Sequence, residues 1–341
     1  MKQPSVLIIY TGGTIGMIQD TASGALVPFS FENVLKYIPL LKNFPAKIDS
    51  VSFDPPVDSS DITPEHWVRL AKLIQEKYDL YDSFVILHGS DTMSYTASAL
   101  SFMLENLTKP VILTGSQLPI GLIRTDGREN LLAALEIATF RINEKPVVTE
   151  VCIYFENKLF RGNRTHKSSA EDFHAFESVN YPPLAEVGVH VKFNDEFIQP
   201  VSSGLLQVHT ELDTRIAILK LFPGINIETI RPILESETIR AIILETYGSG
   251  NASTHPEFLK LLQQGIESGK LIYNVTQCRG GAVDPDKYQT GRALRDIGVI
   301  PGFDITPEAA VTKLMFILGK PFSEKERKEM LIHSLRGEMT S

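Results

Sequence analysis

The sequence predicts an α/β protein of two domains with mainly parallel sheets, the larger N-terminal and the smaller C-terminal. Three observations predict it. Short apolar runs alternate with segments of helical periodicity, the pattern of parallel strands joined by crossover helices. The apolar runs are continuous, as in strands covered on both faces. The rhythm stops between about 182 and 210 and then restarts, in a chain of 341 residues that is too long for one ordinary core.

Taken in order, Ser5–Tyr10 (SVLIIY) is the first expected strand. Thr63-Pro64-Glu65 supplies a cap, a proline at the first helical position and an early acid. Trp67, Leu70 and Ile74 then mark one apolar helix face. Phe84–His88, Val111–Thr114 and Val151–Phe155 read as buried strands, with helices over Met93–Leu107 and Gly127–Ile142 between them. Residues 156–180 are polar and read as a loop. Residues 182–210 carry Pro and Gly without periodicity. Strands restart at Ile216–Phe222, Ala241–Glu245 and Leu271–Val275, with helices near 226–236, 256–268, 306–318 and 323–335. The expected organisation is a domain over 1–190, a linker over 191–210 and a second domain over 211–341.

Composition narrows the function. With 41 acids against 33 bases the net charge is −8, which disfavours nucleic acid and anionic membrane as partners. No stretch reaches the ~20 apolar residues of a membrane span. The N-terminal apolar run belongs to the first strand and is too short for a signal peptide. Two cysteines, Cys152 and Cys278, stand far apart with no zinc spacing. These features predict a cytoplasmic protein and offer no metal-binding spacing.

The chemistry is expected at strand ends. Thr11-Gly12-Gly13-Thr14-Ile15-Gly16 follows the first strand. It fits neither GxGxxG nor GxxxxGK[ST], so a phosphate cradle is not indicated. A plain reading is a tight strand exit whose threonines bond the backbone. Three further polar clusters fall at comparable positions: Asp58–Asp61 (DSSD), His88–Met93 (HGSDTM) and Thr114–Pro119 (TGSQLP). Ligands of open α/β sheets sit beyond the carboxyl ends of the strands, where such clusters would gather.

These motifs resemble the bacterial-type L-asparaginases. Thr11–Ile15 and His88–Thr92 resemble their two catalytic signatures. "DSSDITPEHW", "SYTASALSFMLENLTKPVILTGSQLP", "RGNRTHK", "DFHAF" and "YGSGNA" are similar to the cytoplasmic type I branch. The resemblance spans about residues 5 to 338. It implies hydrolysis of L-asparagine to L-aspartate and ammonia without a cofactor. It implies catalytic roles for Thr14 and for a second group of Ser90, Asp91 and Lys167. It implies that Asp58 and Ser59 grip the substrate's ammonium and carboxylate, and that Gln117 bonds the second group or the substrate. Asn251 matches a residue lent across a subunit interface, which implies a homodimer, commonly paired into a dimer of dimers. Which hydroxyl attacks first is left open by the sequence.

The chain departs from that pattern at three places. Ser90 stands where the family usually has threonine; the hydroxyl survives and the χ1 restriction is lost. The segment Ile18–Pro28 resembles a mobile flap, yet it has Ala25 nearest the position of a common flap tyrosine. Glu245 stands where some type I relatives place an arginine that holds an effector asparagine, which argues against an allosteric site. Cys278, in that region, reads as a small buried residue. Two other functions compete. The amidase subunit of a glutamyl-tRNA amidotransferase would carry a domain ahead of TGGT, where only ten residues precede Thr11. A catalytically dead amino-acid sensor would be expected to lose Thr14, Asp91 or Lys167, and none is lost.

Overall fold

The computed structural model describes residues 3–19, 26–28 and 38–340. The chain divides into two units, Met1–Thr210 and Glu211–Ser341.

In the first unit the main sheet is formed by β1 (Ser5–Tyr10), β2 (Lys47–Ser52), β3 (Ser83–Leu87), β4 (Val111–Thr114), β5 (Val151–Phe155), β6 (Lys158–Arg161), β7 (Ala185–Val187) and β8 (Val191–Phe193). Their order is β8-β7-β6-β5-β4-β3-β1-β2. The pairs from β2 to β5 are parallel, and β6, β7 and β8 add antiparallel at the far edge. The continuous apolar runs have the expected cause: every residue of β3, β4 and β5 is buried.

Helix α1 (Pro64–Lys77) begins as its sequence promises, with Pro64 at its start and Thr63 and His66 exchanging capping bonds; Trp67, Leu70, Ala71 and Ile74 are its buried face. Helix α2 (Met93–Met103) lies against β5. Helix α3 (Gly127–Thr139) packs Leu131, Ala134, Leu135 and Ile137 into a core shared with Val6, Ile8, Tyr10, Val85 and Tyr154.

Four expectations are corrected. The helix expected to reach Leu107 ends at Met103, because Leu104–Glu105 pairs antiparallel with Gln207–Val208. The helix expected to reach Ile142 ends at Thr139; Arg141–Ile142 pairs with Lys145–Pro146. Residues 156–180 are not a plain loop. They carry β6, a helical turn at Gly162–Arg164 and the pair His166–Lys167 with Phe176–Glu177. The segment 191–210, expected as a linker, holds β8 and Gln207–Val208 and belongs to the first unit.

The second unit is a four-stranded parallel sheet, β9 (Ile216–Lys220), β10 (Ala241–Thr246), β11 (Leu271–Thr276) and β12 (Ile300–Pro301), in that order. Helices α4 (Ile227–Glu235) and α5 (Pro256–Glu267) bury Ile230, Leu234, Leu261 and Leu262 on one side. Helix α6 (Gln289–Asp296) was not foreseen, its apolar face being short and its composition polar. Helices α7 (Pro307–Leu318) and α8 (Glu324–Ile332) follow, α7 capped by Thr306 and α8 by Ser323. No helix among the described residues is long and apolar enough to cross a membrane.

Candidate active site

The parallel strands of the first sheet run β5-β4-β3-β1-β2, so the order reverses direction at β1. Between β3 and β1 the two following connections leave in opposite directions, and it is beyond the carboxyl ends at such a place that open α/β sheets bind ligands. The loop after β1 carries Thr14; the loop after β3 carries Ser90 and Asp91.

The two loops touch through glycine. Gly13 has φ +90°, and a Cβ on it would lie 2.4 Å from the Gly89 Cα. Nothing larger fits there, and the contact sets the spacing between the two loops. Thr11 closes the strand exit, its hydroxyl donating to the Leu87 carbonyl at 3.0 Å. Thr14 then opens a helical turn, Thr14–Gly16, whose preceding residue offers no side-chain cap. The Thr14 hydroxyl is half-buried and makes no hydrogen bond to any described residue.

Ser90 is the opposite case. Its Oγ accepts from Lys167 Nζ at 2.8 Å and donates to Gln117 Oε1 at 3.3 Å. Lys167 also donates to Asp91 Oδ1 at 2.6 Å. Lys167 is 16% exposed, while the Asp91 carboxylate, at 65%, reaches solvent. The ammonium thus joins two candidate groups, and its partner carboxylate is exposed.

Behind this group sits His88, fully buried. Its Nδ1 faces the Gly89 carbonyl at 2.6 Å, which can only accept, so Nδ1 carries the proton. Nε2 accepts from Thr96 Oγ1 at 2.9 Å, and Thr96 accepts from Trp67 Nε1 at 3.0 Å. Burial pulls His88 down to about 4, so it stays neutral through the physiological range.

Asp58 Oδ1 accepts from the Ser60 N–H and hydroxyl at 2.9 and 2.7 Å. The Ser60 backbone bond, then its hydroxyl bond, hold the carboxyl below the usual range. Ser59 is buried, and its side chain occupies the space a Cβ on Gly89 would need. The Thr92 hydroxyl donates to the Ser59 carbonyl at 2.6 Å, tying the 58–61 turn to the β3 exit.

Two residues that sequence reasoning missed fix Gln117. Asp126 accepts from the N–H groups of Gln117 and Leu118, at 2.9 and 3.1 Å, and from Asn130 Nδ2 at 3.2 Å. Asn130 also donates to the Gly115 carbonyl at 3.0 Å. The available signal was an aspartate at the start of a helix, four residues before a buried asparagine, in "TDGREN".

Two family models match the chain: "Asparaginase, N-terminal" over residues 5–199 and "Glutaminase/Asparaginase C-terminal domain" over residues 215–331. The chain belongs to the asparaginase family. It is 44% identical over 345 aligned residues to L-asparaginase 1 of Escherichia coli (strain K12), covering 100% of this chain and 99% of that one. The crystal structure of L-asparaginase I from Vibrio cholerae matches all of both chains with a TM-score of 0.89 and 42% identity. The thermostable L-asparaginase of Thermococcus kodakarensis matches 99% of both chains, with a TM-score of 0.90 and 33% identity.

Within this asparaginase-family chain, Thr14, Asp58, Ser59, Ser90, Asp91, Gln117 and Lys167 lie in the first unit, and Asn251 in the second. Asn251 is held in the 247–251 turn, bridged to Tyr247, with its Oδ1 accepting from Thr290 Oγ1 at 2.6 Å. Glu245 is paired with Lys220 at 3.3 Å. Cys278 is exposed, which corrects the expectation of a buried residue. It sits in the turn that leaves β11, its N–H bonded to Thr276 Oγ1. Ala25 and residues 20–24 of the expected flap lie outside the described residues.

Proposed function

We propose that this protein hydrolyses the side-chain amide of L-asparagine to L-aspartate and ammonia, with Thr14 as the nucleophile. The observation that carries the reading is the contrast between two hydroxyls at one switch point. Ser90 is held on both sides, by Lys167 and Gln117, whereas the Thr14 hydroxyl makes no hydrogen bond to any described residue. A nucleophilic oxygen needs a free lone pair and room to approach its carbon. The high identity to proteins named L-asparaginase supports the same substrate.

In this reading the Thr14 oxygen bonds to the side-chain carbonyl carbon, the C–N bond breaks, and ammonia leaves with the threonine's proton. Water then cleaves the aspartyl ester and returns a proton to Thr14. Ser90, Asp91 and Lys167 form the second catalytic group, able to hold and pass protons. Asp58 keeps one oxygen for the substrate's ammonium, and Ser59 lies beside it for the carboxylate. Asn251 comes from a second copy, so the active assembly is a homodimer, paired into a dimer of dimers, in the cytoplasm. No cofactor is needed.

Ammonia release from asparagine and from glutamine by the wild type and by Thr14→Ala tests this. Asparagine turnover is expected in the wild type and a loss of at least ~10³-fold in the variant. Absence of turnover in the wild type overturns the enzyme reading; full turnover in Thr14→Ala overturns the nucleophile.

A further inference from the structure

The motif "DFHAF", Asp172–Phe176, has no role in the chemistry described so far. Its contacts give it one. The Asp172 carbonyl accepts from Gln117 Nε2 at 2.9 Å. At the other end, Phe176 pairs across the short antiparallel ladder with Lys167. Gln117 and Lys167 are the two hydrogen-bond partners of Ser90. One five-residue segment therefore holds both.

We infer that Asp172–Phe176 is a positioning element that sets the direction of the Ser90 hydroxyl, and that His174 is its latch. This inference rests on the catalytic role proposed above for Ser90. A backbone carbonyl only accepts, so the Gln117 nitrogen must face Asp172 and its oxygen must face Ser90. That oxygen also only accepts, so the Ser90 hydrogen points to Gln117 and its lone pair to Lys167. An amide turned the other way would present a donor to Ser90 and free the hydroxyl hydrogen. The orientation of one amide thus decides which side of Ser90 carries the proton.

The segment is anchored at two adjacent residues of the main sheet's rim. Phe176 packs on Phe155 with ring centroids 4.9 Å apart, and Ala175 is fully buried. His174 Nδ1 pairs with the Glu156 carboxylate, and the His174 N–H reaches Asp172 Oδ1 at 3.3 Å. Glu156 occupies the first turn position of the β5–β6 hairpin with φ +40°, where asparagine or glycine is the cheaper residue. An acid kept in that conformation, next to a site, fits a positioning role. Its N–H is held by Asn130 Oδ1 at 3.2 Å, and Asn130 also bonds Asp126, which holds the Gln117 backbone. The side chain and the main chain of Gln117 are thereby fixed from the same rim.

His174 and Glu156 are 49% and 40% exposed, so variants there should fold. The test compares His174→Leu with His174→Gln, which can still bond Glu156. His174→Leu should lower kcat for asparagine about five- to ten-fold with KM within about two-fold. His174→Gln should restore most of the loss. Melting temperatures should stay within ~2 °C of wild type, separating positioning from folding. A second readout does not depend on turnover. The Gln117 side-chain amide signals, assigned by their loss in Gln117→Leu, should exchange slowly in the wild type and rapidly in His174→Leu. Unchanged kcat or unchanged Gln117 signals in His174→Leu overturn the inference. If the wild type does not turn over asparagine, the proposed function fails by itself, and the amide signals alone decide whether the segment fixes Gln117.

Discussion

In the first sheet the strand order reverses beside β1; in the second it runs β9, β10, β11, β12 without a turn. Both are built on parallel strands with buried ones at their centre, yet their carboxyl edges differ. Among the described residues, the edge of the first sheet presents Thr14, Ser90, Asp91 and Lys167, with Asp58 beside them. The edge of the second ties itself shut. Gln277 Nε2 donates to the Leu221 and Glu245 carbonyls at 2.7 and 2.8 Å. The Thr276 hydroxyl donates to the Gly248 carbonyl at 2.6 Å, and Asn274 Nδ2 to that of Gly250 at 3.3 Å. A cavity of about 680 Å³ remains there, but Phe222, Ile225, Tyr247 and Phe258 give it a mainly apolar wall. The same architecture makes a site only where the topology opens a crevice and polar groups are left uncommitted. Where side chains satisfy the backbone, it makes a scaffold.

The comparison can be broken by exchanging the outcomes. Lys167→Met should lower kcat/KM for asparagine by at least ~10³-fold, because Ser90 and Asp91 lose their shared donor. Its melting temperature should fall little. Gln277→Leu should do the reverse: ~1–3 kcal/mol of stability lost in urea unfolding, because the Leu221 carbonyl loses its side-chain donor while that of Glu245 keeps only the Leu221 N–H, with turnover per folded molecule unchanged. A large kcat loss in Gln277→Leu would contradict the division.

The second unit's polar core should prove as costly to disturb. Lys313 and Glu338 are both fully buried and paired at 2.7 Å. Burial pulls the Lys313 ammonium down, against the pull of Glu338. Burial also pushes the Glu338 carboxyl up, but Lys313 and the N–H groups of Leu335 and Arg336 outweigh it and hold it below the usual range. Glu338→Leu leaves a buried charge alone and should cost ~3–5 kcal/mol. Lys313→Met combined with Glu338→Leu should recover part of it in the same unfolding assay, since the N–H groups of Leu335 and Arg336 still lack their acceptor. If the double variant is no more stable than the single one, the loss does not come from the lone charge.

Acid should weaken the first unit through His88. Its folded value, about 4, lies below its ordinary 6.5, so the unfolded chain binds the extra proton. Stability is then full above 6.5 and falls as pH drops toward 4, by on the order of 3 kcal/mol. His88→Asn, which keeps a donor for the Gly89 carbonyl, should flatten that limb. Equal slopes in the two proteins between pH 6.5 and 4 would remove His88 from the account.

The smallest effect is expected at Ser90→Thr. It keeps the hydroxyl between Lys167 and Gln117 and restricts χ1. Turnover should stay within a few-fold of wild type, and its abolition would show that the site is fitted to serine.

Much of this was legible because it is local. The alternation of FVIL, VILT and VCIYF with helical segments encodes a covered parallel sheet, and Thr63-Pro64-Glu65 encodes a helix start. The strand-exit clusters mark Thr14, Ser90, Asp58 and Gln117 by their position alone. The segment carrying Lys167 reads as a loop in sequence because its strands are two residues long and polar. The roles of Asp126, Asn130 and the Asp172 carbonyl were hidden for another reason. Each acts through the backbone or across tens of residues, and a carbonyl leaves no mark in a sequence.

The central claim is that Thr14, the uncommitted hydroxyl, and not Ser90 attacks the amide. The direct measurement is to quench the enzyme with acid during asparagine turnover, digest it with trypsin and weigh the peptides. The cuts separate Thr14 from Ser90. The account predicts an aspartyl group on the peptide containing Thr14 and none on the peptide containing Ser90. An aspartyl group found on the Ser90 peptide instead would contradict it.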